Sequence, residues 1–351
     1  MTNKLKIVEL FSGIGSQTQA LKNLGIAHTS ICCEWKNSIH KIYESIHGPT
    51  QNLGDITKVS ELPDCDLVTY SFPCQDISSN GNQKGFSKDS GTRSGLLWEF
   101  ERLLRQKLIN GNKLPTTLLL ENVKQLINVK NIENFNIWLN FLESIGYKNS
   151  WKVLNAVDYG IPQHRERIFV VSSLNEKFIF PAHKTTLKPL SDFMFSDNEV
   201  KEEFGDIHFF SNPKMQINIL NTINNTQTLN STNRIYSPNG IVHTLTTYGH
   251  VGTHGAVLYS SKLNSSYRLR EKIKGLTINE ITSLNLGFDI NSLRLATPQN
   301  AFLLMGFDKK SYLKAKEYMI QNKISLNNFY HVSGNSIVVP VLESIFSGIY
   351  G

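Results

Sequence analysis

KLKIVELFSGIGSQTQALKNLG, residues 4–25, decides the fold. Lys4 to Phe11 reads as a strand that stops at Gly13. Ser16 to Leu24 reads as a helix with Ala20, Leu21 and Leu24 on one face, closed by Gly25. A strand that passes through a glycine turn straight into a helix opens a βαβ unit, and the pattern recurs downstream. Thr29 to Cys33 is a second strand. Ser38 to His47 places Ile39, Ile42, Tyr43 and Ile46 on one helical face, and Gly48-Pro49 stops it. Asp66 to Phe72 is a strand, and Leu96 to Leu108 a helix with Leu97, Phe100, Leu104 and Leu108 inward. Thr116 to Glu121 is a short apolar strand of the kind that is covered on both faces. Phe135, Trp138, Leu139 and Leu142 mark the next helix, ended by Gly146. Lys152 to Leu154 and Arg167 to Ser172 are later strands. This alternation predicts an α/β fold with a doubly wound sheet.

The pattern changes near Phe180. Residues 181–293 are rich in Asn, Ser and Thr and show little helical periodicity, so they read as a smaller, loop-rich, partly β domain. The expected division is 1–180, 181–293, a helical stretch 294–330, and a segment 331–351 that returns to the first domain. Thr297 reads as an N-cap with Pro298 at the first helical position, then Ala301, Leu304 and Met305, and Gly306 as the stop. Ser336 to Ile349 reads as an apolar helix that must pack against something.

Composition narrows the classes. Of 351 residues, 40% are hydrophobic and 19% charged, which excludes a disordered or low-complexity chain. Four cysteines with no C-x-x-C pair make a disulfide scaffold or zinc ribbon improbable and point to a reducing cytoplasm. No apolar run reaches the roughly 20 residues that span a bilayer. The net charge of +7 favours a polyanionic partner.

The chemistry-bearing residues sit where strands end. Phe11-Ser12-Gly13-Ile14-Gly15 follows the first strand and opens a helix, so backbone N–H groups and close approach are available to a ligand. Thr18 leaves the dinucleotide fingerprint incomplete. Glu34-Trp35 ends the second strand, offering an acceptor for ribose hydroxyls and a ring that can stack on adenine. Asp55 supplies a further acid for an adenine amino group. Ser71-Phe72-Pro73-Cys74-Gln75-Asp76 puts a thiol just past a strand end, and a long polar loop runs on to Gly95. Glu121-Asn122-Val123 ends the next strand. Gln163-His164-Arg165-Glu166-Arg167 brings two alternating arginines to the start of another. His243, His250 and His254 could suggest zinc, but Gly249, Gly252 and Gly255 oppose a helix there, and no metal is expected.

Five of these segments occur in order, the last being Gly334-Asn335-Ser336-Ile337-Val338-Val339-Pro340-Val341. The set resembles the bacterial DNA (cytosine-5) methyltransferases of restriction–modification systems, over about 1–175 and 294–351. The resemblance implies a Rossmann-like, S-adenosylmethionine-dependent catalytic domain and a target-recognition domain. Phe11, Gly13, Ile14, Gly15, Glu34, Trp35, Asp55, Ile56 and Asn335 would bind the cofactor, which leaves as S-adenosylhomocysteine. Cys74 would be the nucleophile, Glu121 would hold the cytosine N3 edge, and Arg165 and Arg167 would hold the target nucleotide and its phosphate. Gln75, Ser78, Thr244 and Thr246 would touch DNA. Arg294-Leu295-Ala296-Thr297-Pro298-Gln299 departs from the family, which often has an acid after the proline. The implied enzyme is a cytoplasmic monomer acting on double-stranded DNA, with any cognate endonuclease acting separately. A tRNA-specific branch and an inactive DNA-binding homologue are the alternatives.

The residue types suit that chemistry independently. Cytosine C5 is a poor nucleophile until a thiolate adds to C6, and a thiol both adds and leaves readily. Charge then develops at N3, where a protonated carboxyl can donate a hydrogen bond. A stacked base must be flipped out to be reached.

Overall fold

The computed structural model describes residues 4–78, 84–88, 90–182, 185–193, 297–326 and 328–351, with the short segments 218–220, 234–236, 241–244, 256–258 and 293–295. The opening strand β1 (Leu5–Leu10) leads through the glycine turn into α1 (Ser16–Asn23), as the sequence implies. β2 (His28–Cys33), α2 (Asn37–His47), β3 (Gln51–Asn52) and β4 (Leu67–Tyr70) follow. Then come α3 (Leu97–Ile109), β5 (Thr117–Val123), α4 (Ile132–Ser144) and β6 (Lys148–Asn155). The short β7 (Gln163–His164) precedes β8 (Glu166–Ser173).

Seven of these strands form one sheet in the order β3-β2-β1-β4-β5-β8-β6. Pairing from β3 through β5 is parallel, whereas β8 runs antiparallel to both β5 and β6. The simple doubly wound alternation is thus corrected at one side to a mixed sheet. The cause is the length of the β6–β8 connection: a parallel return needs a crossover of a dozen or more residues. Only ten separate Asn155 from Glu166, so the chain turns back on itself.

Side chains alternate between the two faces of the sheet. Ile7, Leu67, Leu119 and Phe169 join a core with α1 and α2, while Val8, Val68, Leu118 and Val170 join another with α3 and α4. In α3 the inward face differs from expectation. Leu108 is 42% exposed, and Lys107, at 1%, takes the buried position instead. Its aliphatic stem packs inside while Nζ reaches Asp64 Oδ1 at 2.7 Å, so the helix rotates to satisfy both.

The C-terminal stretch supplies α5 (Pro298–Leu303), α6 (Lys309–Gln321), α7 (Asn328–Gly334) and α8 (Val339–Tyr350). Thr297 caps α5 through a reciprocal box with Asn300. Phe302, Tyr312, Phe329, Leu342 and Phe346 share the core of α1 and α2. Asn328–Tyr350 is long and apolar enough to cross a bilayer by length and composition, but 61% of its apolar 18-residue window is buried in the fold. Its backbone also leaves the helix between Gly334 and Val339.

In the middle region β9 (Asn218–Leu220), β10 (Arg234–Tyr236), β12 (Ala256–Leu258) and β13 (Leu293–Leu295) form a four-stranded sheet. Between them in sequence, β11 (Val242–His243) pairs with β7. Thr246, His250 and His254 lie outside the described residues. Among the described residues no group of His, Cys, Asp and Glu is placed to hold a metal.

Candidate active site

One half of the site is the turn after β1. Phe11, Gly13 and Gly15 have φ of 57°, 54° and 80°, the left-handed region. A non-glycine residue such as Phe11 adopts it at a cost of order 1–2 kcal/mol, and such strain gathers at ligand sites. A Cβ on Gly15 would lie 2.5 Å from Tyr43 Cε2 and 2.6 Å from His47 Nε2, so the glycine lets α2 close on the turn. A Cβ on Gly13 would meet nothing within 4 Å, so space above the turn is open.

Glu34 holds this turn in place. Its Oε2 accepts from Gly13 N at 3.2 Å and its Oε1 from Lys36 N at 3.0 Å. A carboxylate has about four acceptor positions, so capacity remains for ribose hydroxyls. Burial pushes the Glu34 carboxyl above its ordinary range, against the pull of the Lys36 and Gly13 amides. Trp35 is 67% exposed beside it, with the Lys36 ammonium 5.3 Å from the ring centroid. Asp55 Oδ1 caps the short turn Ile56–Lys58, accepting from Thr57 N at 3.0 Å. Ile14 and Ile56 are buried in the two cores, so any part they play at a ligand is through backbone. Asn335 is exposed in the turn between α7 and α8. Open space at a glycine turn, an acceptor and an exposed indole fit an adenosine-bearing cofactor.

The other half follows β4. Cys74 is half-buried, and its carbonyl accepts from Ile77 N and Ser78 N in a tight turn. The preceding backbone is pinned from both sides. Ser94 Oγ donates to Pro73 O at 2.6 Å and accepts from Asp76 N at 3.2 Å, and Asp76 Oδ2 accepts from Ser94 N at 3.3 Å. Asn122 Nδ2 donates to Phe72 O at 3.0 Å. Ser94 lies outside every motif quoted above, and Asn122 lies in the Glu121-Asn122-Val123 segment without a role assigned to it there. Only the burial of two polar side chains beside the thiol reveals it. Gln75 is exposed and accepts from Arg93 Nη1 at 2.7 Å.

Glu121 on β5 is buried and pairs with Arg167 on β8, Nε to Oε1 at 3.3 Å. Arg167 lies beside Val123 in the sheet register because β8 is reversed. Burial pushes the Glu121 carboxyl up, and Arg167 and Arg165 pull it back only in part. Burial likewise pushes the Cys74 thiol up, with Arg167 opposing. A raised carboxyl can keep its proton, and a thiol bordered by cations gains when it ionises. Arg165 sits close to both, and its guanidinium turns inward, with Nη2 donating to the carbonyls of Gly334 and Ser336. Thr244 Oγ1 donates to His164 O at 2.7 Å, which ties the middle region to β7 just ahead of β8.

Solved structures of methyltransferases share this fold. The chain matches an Entamoeba histolytica methyltransferase with a TM-score of 0.70 and 17% identity, covering 99% of this chain and 98% of the other. It matches the S. pombe Dnmt2 methyltransferase with a TM-score of 0.66 and 20% identity, covering 98% of each. At such identity the likeness establishes an α/β methyltransferase fold and no more. Residues 5–351 match the C-5 cytosine-specific DNA methylases, and the chain belongs to that family. It is a DNA (cytosine-5) methyltransferase. It is 31% identical to the orphan methyltransferase M.SssI of Spiroplasma monobiae over 100% of this chain and 98% of that one. It is 34% identical to the type II methyltransferase M2.ScrFI of Lactococcus lactis over 86% and 71%, and 33% identical to M.HhaI of Haemophilus parahaemolyticus over 70% and 75%.

Proposed function

We propose that the protein methylates C5 of one cytosine, flipped out of a specific double-stranded site, through a covalent bond from Cys74 to C6. The observation that carries this reading is the half-buried thiol beside the paired Glu121 and Arg167. Addition of the thiolate to C6 breaks the 5,6 double bond and drives charge toward N3. Burial favours the protonated form of Glu121, which can then donate to N3, and Arg167 keeps the carboxyl oriented. S-adenosylmethionine, when bound, supplies an electrophilic methyl group. Phe11, Gly13, Ile14, Gly15, Glu34, Trp35, Asp55, Ile56 and Asn335 form its site. Once C5 is methylated, the C5 proton leaves to a base and the thiolate is expelled, which restores the double bond. Gln75 and Ser78 border the target, and the middle domain around Thr244 and Thr246 reads the sequence. The enzyme acts as a monomer; the names of the type II relatives fit a restriction endonuclease that acts separately, and four free cysteines fit a cytoplasmic enzyme. The site is found by sequencing methylated cytosines in DNA from a host that expresses the protein. Duplex carrying 5-fluorocytosine at that site then tests the bond, because fluorine cannot leave as the C5 proton does. A denaturant-stable adduct that disappears in Cys74→Ser is expected. Active enzyme with no adduct removes Cys74 from its role.

A further inference from the structure

Arg165 is 3% exposed, and a buried guanidinium must be held by acceptors. Its Nη2 donates to Gly334 O at 2.9 Å and to Ser336 O at 2.8 Å. Those carbonyls flank Asn335, whose side chain faces outward. The backbone N–H of Arg165 is fixed by Asn155 Oδ1 at 3.0 Å, which sets where the arginine side chain departs. Within its last turn, Asn335 N donates to His331 O and Ser336 Oγ to Val332 O, so the turn is a preformed unit that Arg165 grips from outside. Burial and the neighbouring Arg167 lower Arg165 to about 9, still charged at neutral pH. Glu121 and Cys74 are its other electrostatic neighbours.

We propose that Arg165 is a positioning residue that locks the Asn335 turn against the target pocket and thereby sets cofactor affinity. Arg167 is then the arginine that serves the flipped base. The proposal rests on the reading of Asn335 as a cofactor contact. Two hydrogens on one planar nitrogen can bridge two carbonyls at a fixed spacing, and an ammonium on a shorter, flexible stem cannot hold both in that geometry.

The test compares Arg165→Lys, Arg165→Gln and Asn335→Ala in the full chain. Calorimetry with S-adenosylhomocysteine should show dissociation constants at least fivefold higher for Arg165→Lys and tenfold higher for Arg165→Gln. The KM for S-adenosylmethionine should rise while the KM for DNA stays within twofold. An arginine that neutralised a DNA phosphate would, once replaced, lower the salt slope of DNA binding by about 1, and an unchanged slope in Arg165→Gln is expected. If Arg165→Gln does not fold, amide exchange in Arg165→Lys decides. The Asn335 and Ser336 amides should exchange at least tenfold faster, with those of β4 and β5 unaffected. Unchanged cofactor affinity in Arg165→Lys with weakened affinity in Asn335→Ala overturns the proposal alone. Unchanged affinity in Asn335→Ala removes the cofactor reading of that turn, and the proposal with it. A reduced salt slope returns Arg165 to the phosphate.

Discussion

His47 lies directly beneath the glycine turn, and its ring carries the turn's pH dependence. Nε2 faces the Ile14 carbonyl at 2.9 Å and so must bear the hydrogen, while Nδ1 faces Lys22 Nζ at 3.4 Å and accepts. Burial, with Lys22 close by, lowers the ring from 6.5 to about 3. The folded value lies below the unfolded one, so the unfolded chain takes up the proton first. The stability that the neutral ring contributes is whole above pH 6.5 and is lost as pH falls toward about 3. The slope from one such group reaches at most about 1.4 kcal/mol per pH unit. Urea unfolding at pH 7 and pH 5 should therefore differ less in His47→Gln, which keeps a donor but does not titrate; an equal difference would clear His47. A second residue-scale expectation concerns Glu34. Its removal frees Gly13 N as well as the proposed ribose hydroxyls, and a hydrogen bond to a charged acceptor is worth about 1.5–3 kcal/mol. Glu34→Ala should raise the dissociation constant for S-adenosylhomocysteine roughly tenfold or more by calorimetry. Unchanged affinity would take Glu34 out of the site.

Between β4 and α3 the chain makes a long excursion whose two ends are fastened together. Asp76 and Ser94 exchange hydrogen bonds across 18 residues, and the same hydroxyl holds Pro73 O, one residue before Cys74. Further out, Trp98 Nε1 donates to Phe86 O at 2.6 Å, and Phe86 packs in the core beneath. Ser94→Ala leaves a buried amide and a buried carbonyl without their partner, at a cost of about 1–3 kcal/mol each. Misplacing the thiol by a fraction of an ångström should lower kcat tenfold or more, with a smaller change in KM for either substrate. Steady-state kinetics at saturating cofactor check this, and an unaltered kcat would make the clasp irrelevant to Cys74. Such a clasp is invisible in sequence because Ser94 is one of several loop serines, and only three-dimensional return selects it. Strands and helices of the first domain were legible from their apolar periods, and Cys74, Glu121 and Glu34 from their places at strand ends. The reversal of β8 was not, because an apolar strand reads the same in either direction. The inward turn of Lys107 was hidden too, since periodicity favours Leu108 and the partner Asp64 is distant in the chain.

At the scale of the whole molecule, the proposed division of labour is drawn at the composition break near Phe180. Ordered motifs lie on both sides of residues 181–293, and the described strand β11 joins that stretch to β7, next to the arginines. Replacing the stretch with its counterpart from a type II relative should change which sequence is methylated while Cys74 chemistry persists. Sequencing of methylated cytosines reads the result, and an active chimera with the original site would place the readout elsewhere. The core shared by the two ends of the chain has a further consequence. α8 packs in one cluster with Ala20 and Leu21 of α1, and Asn23 Nδ2 donates to Glu343 Oε1 across 320 residues. On a ribosome adding 5–20 residues per second, the apolar face of α1 waits about 15–60 s for its partner. Throughout that interval the cluster that α8 completes beneath the glycine turn stays open, while the thiol packs against the other core. The α1 side of the sheet therefore reaches its final packing only once α8 has been made.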